Sequence, residues 1–101
     1  MKRTKPYYSK KQIINLISSG NVYIEEEARR SAQDDFGGVI DDICNALKAL
    51  PVKYWYDSKK RFDNPEIWVD YYRAHDLMGE RVYTHFYVSD GKLIIDSFKE
   101  I

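Results

Sequence analysis

A chain of 101 residues builds one domain around one core, not two. It carries 16 basic and 16 acidic residues, is 44% apolar and 15% aromatic, and so lacks the overall basic excess of most nucleic-acid binders; only residues 1–20, with five positive charges and no negative ones, make a basic patch. No apolar run reaches the ~18 residues of a membrane span, no secretory core follows the basic start, and one cysteine cannot close an internal disulfide, so a soluble, cytoplasmic protein is expected.

Ser9 is placed to cap a helix running from Lys10 to about Ser19, with Ile13, Ile14, Leu16 and Ile17 on its apolar side and Gly20 at its end. The segment NVYI reads either as a short isolated strand or as a linker. A second helix is expected over EEEARRSAQDD, its acids clustered where the helix dipole favours them, and FGG breaks it. Phe36, Ile40, Ile43, Leu47 and Leu50 then recur at intervals of four and three, predicting a third, amphipathic helix ended by Pro51. Cys44 lies beside that stripe and reads as a small buried residue.

Past Pro51 the texture changes to aromatic and β-branched residues in partial alternation: KYWYDSKKRF, EIWVDYYRAH, RVYTHFYVS and KLIIDSF. Asn64-Pro65, the stretch from Asp76 to Gly79, and Asp90-Gly91 separate them. The fold class expected is α+β, with three N-terminal helices packed on one face of a mainly antiparallel, four-stranded sheet.

The last hairpin admits two registers. A two-residue loop at Asp90-Gly91 sets Tyr83 opposite Phe98 and turns Lys99 to the other face. A three-residue loop, Ser89-Asp90-Gly91 with a bulge, puts Tyr83, His85 and Tyr87 on one face with Leu93, Ile95, Ser97 and Lys99. Burial selects between registers, and the bulged loop is preferred because it gathers tyrosine, histidine, serine and lysine on one side.

SFKE at Ser97–Glu100, VY at Val82-Tyr83, IWVDYYR at Ile67–Arg73, WYDS at Trp55–Ser58, ICN at Ile43–Asn45 and the opening KRTKPYYS together resemble the motility quorum-sensing regulator family of bacterial toxins, over nearly the whole chain. The resemblance implies a RelE-like fold and a type II toxin–antitoxin setting. It implies metal-independent endoribonuclease activity on messenger RNA with no cofactor, and as partner an antitoxin with zinc-binding and helix-turn-helix parts. Tyr56, Ser58, Trp68, Asp70, Tyr72, Arg73, Tyr83 and Lys99 match the family pattern; Asp57 stands where the family has a lysine and Val69 where it has a glutamine.

Cleavage of RNA without metal needs a base for the 2′-hydroxyl, charge stabilisation at the phosphorane and an acid for the leaving oxygen. Lys99 can supply the cation, Tyr83 a hydrogen bond or, with a lowered pKa, a base, and His85 a group that titrates near neutrality. Lys59, Lys60, Arg61 and Arg73 are candidate phosphate contacts; Tyr56 and Trp68 are candidate stacking platforms for bases. Each has a structural alternative: Tyr83 as a sheet tyrosine, His85 as a cross-strand hydrogen-bonding group, Lys59 to Arg61 as an edge guard. His75 reads as loop, and no metal site is expected. Three functions follow: an active endoribonuclease toxin, a catalytically weakened relative that binds antitoxin or RNA, or a small regulatory protein that shares only the architecture.

Overall fold

The computed structural model describes residues 3–37, 40 and 42–101. Ser9 caps the first helix as its spacing predicts: its hydroxyl accepts from the backbone N–H of Gln12, and α1 runs Lys10–Ser18. Gly20 takes the left-handed conformation (φ 79°) that ends it. The next residues resolve the NVYI alternative in favour of a strand, β1 (Val22–Ile24). The second helix, α2, spans Glu26–Phe36. The long third helix expected from Phe36 to Leu50 is divided: Phe36 closes α2, Gly37 turns left-handed (φ 55°), and α3 is only Ile43–Ala49. Asp42 caps it by accepting from the Cys44 N–H. Residues 38, 39 and 41 lie outside the described part. Gly37 is the reason the periodic stripe misleads, because a left-handed residue ends an α-helix even where the apolar spacing continues.

After a single 3-10 turn at Val52–Tyr54 come four strands: β2 (Trp55–Lys60), β3 (Trp68–Leu77), β4 (Glu80–Ser89) and β5 (Lys92–Glu100). His75 therefore sits in a strand, not in a loop. The sheet has five strands, not four, in the order β1-β5-β4-β3-β2. Its last four strands form the expected antiparallel meander, while β1 pairs parallel to β5. Backbone bonds from Leu93 N–H to the Asn21 carbonyl and from Glu25 N–H to the Ile95 carbonyl hold β1 in place. Three residues are too few to show a period, which is why the fifth strand escapes a reading of pattern alone.

Val82, Phe86, Leu93, Ile95 and Phe98 on one face of the sheet are fully buried and share a core with Ala28, Ala32, Phe36 and Leu47 of the helices. Two alanines let α2 lie close on β5, and Phe36 meets Phe98 edge-on at 5.8 Å between ring centres. All the helix packing in this core falls on that face, and the opposite face carries Tyr71, Arg73, Tyr83, His85, Tyr87, Ser97 and Lys99.

The hairpin that presents them turns through two residues. Asp90 (φ 53°) and Gly91 (φ 74°) are both left-handed, the signature of a type I′ loop, and Ser89 pairs with Lys92. The three-residue loop is not formed. The bulge exists, but it lies further down the ladder: Phe86 pairs with Ile95, while the next residue, His85, pairs with Ser97, leaving Asp96 as the extra residue. Thus Leu93 and Ile95 face the helices rather than the tyrosines, Ile94 joins the open face opposite Tyr87, and Tyr83 shares a face with Lys99 as expected but lies directly opposite it, where the three-residue loop would have set Ser97. Burial of Leu93 and Ile95 near the turn, and of Phe98 beyond it, requires a change of parity between them.

Candidate functional site

Cross-strand pairing assembles an open cleft at one end of the uncovered face. Arg73 of β3 pairs with Tyr83 of β4, which pairs with Lys99 of β5. Tyr56 joins them from β2 because it too is an extra residue in a ladder: Trp55 pairs with Tyr72 and Asp57 with Tyr71, so Tyr56 bulges between them. Tyr56, Arg73, Tyr83, Lys99, Glu100 and Ile101 line a cleft of about 300 Å³. The Arg73 guanidinium lies 5.2 Å from the centre of the Tyr56 ring and the Lys99 ammonium 5.5 Å from that of Tyr83, so each cation is seated on an aromatic face. Two positive groups flank two phenols, an arrangement fit to hold a phosphodiester and stack a base.

Burial first, and the Tyr56 hydroxyl second, push the Tyr83 phenol well above its ordinary value of 10.0. The condition for Tyr83 to act as a base, a lowered pKa, is therefore not met: the phenol stays protonated near neutrality and has a proton to donate. Tyr8, Tyr71, Tyr72 and Tyr87 are raised as well, each chiefly by burial. The sign for stability follows directly. In the unfolded chain these phenols ionise near pH 10, while in the fold they stay neutral to higher pH. Stability is therefore intact below pH 10 and falls as pH rises beyond it. Tyrosine absorbance at 295 nm should rise later in the folded protein than in guanidinium; superimposable titrations would contradict the burial of these rings.

His85 lies one step along β4 from the cleft, its ring 5.4 Å from that of Tyr83 at 77° and 4.8 Å from that of Tyr71. Lys59 is on the same face, over the Tyr71 ring at 5.4 Å and 3.8 Å from the Asp57 carboxylate. Arg61 is committed elsewhere: it grips Asp63 through two bonds of 2.8 and 3.0 Å, which occupy the fork a phosphate would need. Of the six expected RNA contacts only Tyr56 and Arg73 line the cleft; Lys59 and Arg61 lie outside it, and the remaining two are turned to the other face. Lys60 pairs with Trp68, and strand parity turns both to the face of Asp70 and Tyr72. There the Lys60 amine lies over the Trp68 indole at 5.6 Å, and Tyr7 stacks on that indole at 5.5 Å. Trp68 is thus a platform for the chain's own N-terminal segment.

The two departures from the family pattern have clear positions. Asp57 faces the open side opposite Tyr71 and accepts from the Ser58 N–H at 2.8 Å. Val69 is buried at the edge of a shallow basin formed with Lys59, Arg61, Phe62, Tyr71 and Asp96. Among the described residues no three His, Cys, Asp or Glu side chains converge as metal ligands would. Burial pushes the Cys44 thiol up, away from nucleophilic use. No helix among them is long and apolar enough to cross a membrane.

Pattern reading missed Asp96, which the bulge brings against His85, and the terminal rim of the cleft, Glu100 and Ile101. A signal for the first was present: the buried positions of β5 step by two from Leu93 to Ile95 and then by three to Phe98. A family model described as "Motility quorum-sensing regulator, toxin of MqsA" matches residues 5–100. No curated protein matches the chain.

Proposed function

The chain belongs to the motility quorum-sensing regulator family, the toxin of MqsA, and on that premise we propose that it is the toxin of a type II toxin–antitoxin pair, an endoribonuclease that cuts messenger RNA in the cytoplasm. The observation that carries the activity is the cleft itself: Tyr56, Arg73, Tyr83 and Lys99 come together from four strands on the uncovered face. Its cognate partner is an antitoxin of the zinc-binding, helix-turn-helix type.

In this reading the scissile phosphate sits between Arg73 and Lys99, whose charges stabilise the phosphorane as it gains negative charge. The 2′-oxygen attacks phosphorus and the bond to the 5′-oxygen breaks, leaving a 2′,3′-cyclic phosphate and a free 5′-hydroxyl. His85 takes the 2′-proton. Tyr83, protonated at working pH, gives a proton to the departing oxygen. A base stacks on Tyr56, and Lys59 holds the backbone further along the same face.

Asp57 motivates a second reading. It sets a carboxylate where a phosphate backbone would pass, and Val69 offers no hydrogen bond beside it, so a catalytically weakened relative would keep only the binding of antitoxin or RNA. Incubating the purified protein with a mixed RNA pool in EDTA separates the two. The nuclease yields discrete fragments ending in cyclic phosphate, and Lys99→Ala does not. RNA left whole by the wild-type protein, or cut equally by the variant, would count against the nuclease.

A further inference from the structure

The residue inserted by the β5 bulge is not idle. Oδ1 of Asp96 lies 2.5 Å from Nδ1 of His85, and both side chains are largely shielded, at 20% exposure for the histidine and 27% for the aspartate. We propose that Asp96 is a positioning residue: it holds His85 as the Nδ1–H tautomer, so that Nε2 keeps its lone pair for the 2′-hydroxyl of RNA bound in the adjoining cleft. The proposal deepens the nuclease reading and rests on it.

The chemistry of the contact fixes the tautomer. A carboxylate only accepts hydrogen bonds, so the ring nitrogen facing it carries the hydrogen, and in a neutral imidazole the other nitrogen is then unprotonated. The ring cannot easily turn to exchange its nitrogens, because Tyr71 lies against one side at 4.8 Å and Tyr83 meets it edge-on at 5.4 Å.

The carboxylate is equally constrained. The buried Thr84 hydroxyl donates to the carbonyl of Ser97 at 2.7 Å, which pins the backbone just beyond the bulged residue. Three cations line the basin with Asp96: the Lys59 ammonium lies 3.8 Å from the Asp57 carboxylate, that of Lys60 lies over the Trp68 indole at 5.6 Å, and the third is the Arg61 guanidinium. That guanidinium is already held by Asp63 through two bonds, so Asp96 is left to the imidazole. A base with its second nitrogen held by a carboxylate is the arrangement by which enzymes orient histidine for proton transfer.

The step balances with groups on the page. The 2′-proton moves to Nε2 as the 2′-oxygen bonds to phosphorus, the bond from phosphorus to the 5′-oxygen breaks, and that oxygen takes the Tyr83 proton. The imidazolium, facing the Asp96 carboxylate, and the tyrosinate then exchange protons with solvent.

The test uses the full chain labelled with nitrogen-15. It has only two histidines, so a two-bond proton–nitrogen correlation spectrum, with His75→Gln for assignment, reads the tautomer of His85 directly. The expected result is Nδ1–H in the wild type and a shift toward Nε2–H, the form free imidazole side chains favour, in Asp96→Ala. With a defined RNA taken from the cleaved pool, kcat should fall roughly 10-fold or more in Asp96→Ala and ~10²-fold in His85→Gln, with KM little changed. A wild-type His85 in the Nε2–H form overturns the proposal without any variant needing to fold. So does an Asp96→Ala protein that cleaves at the wild-type rate. Should the wild type show Nδ1–H and yet leave RNA whole, the nuclease reading falls, and with it the catalytic role of a pair whose geometry is as described.

Discussion

Replacing Lys99 with alanine should slow RNA cleavage about 10²- to 10³-fold, the usual effect of removing one charge stabiliser from a reaction that builds up oxyanion character. The variant's melting temperature should stay within roughly 3 °C of wild type, because the side chain is exposed. The size of the kinetic effect follows from how few cations the cleft has. Among the described residues, Arg73 and Lys99 are the cations that line it with Tyr56 and Tyr83, and at Asp57 the charge is reversed relative to the family pattern. Lys99→Arg should recover part of the rate, since it restores charge with a different reach and shape. A loss confined to KM would mean that Lys99 binds RNA without stabilising the transition state. Loss of melting cooperativity along with the rate would mean that it belongs to the fold. The comparison therefore needs kcat, KM and a thermal melt on the same preparations.

Much of this cleft was legible in the order of the residues, for reasons that can be traced. The α1 cap at Ser9, the antiparallel strands and the common face of Tyr83 and Lys99 all follow from local chemistry and the two-residue period of strands. The hairpin was read to the right outcome by the wrong route. Moving the bulge from the loop to Asp96 keeps Tyr83 and Lys99 on one face and makes them direct partners, but sends Leu93 and Ile95 into the core. The step of three between Ile95 and Phe98 was the available clue, and apolar burial should have outweighed the wish to collect polar groups. The strand β1 and the division between α2 and α3 were not legible, because a three-residue parallel pair has no period and a glycine can end a helix within an unbroken apolar stripe. Trp68 was misplaced for another reason. An exposed indole near basic residues looks like a base platform until the chain's own Tyr7 and Tyr8 are seen to dock beside it, a contact more than sixty residues apart in sequence.

Asp70→Ala should lower stability by about 3 kcal/mol and the melting temperature by roughly 10–20 °C. The carboxylate is wholly buried and no cation pairs with it among the described residues. Its partners are instead the N–H groups of Tyr7 and Tyr8, each at 2.9 Å, and the hydroxyl of Ser58 at 2.5 Å. Ser58 in turn accepts from the Trp55 indole at 3.0 Å. Removing the carboxylate strands two N–H donors and a hydroxyl and releases the segment that packs on Trp68. All three direct partners donate, so Asp70→Asn cannot rescue it: the amide nitrogen would oppose a donor, and the loss should approach that of alanine. Trypsin offers a local readout, because freeing the segment opens the Arg3–Thr4 bond (Lys5 precedes a proline and resists the protease), while the open face near Lys99 is held by separate contacts. If Asp70→Ala melts within 2 °C of wild type with Arg3 still protected, the carboxylate is not the anchor. If instead it melts early and is cut at Arg3 while the cold, folded protein still cleaves RNA, the aspartate of the WVDYYR segment serves the fold on one face of the sheet, and Arg73, three residues on, serves the cleft on the other.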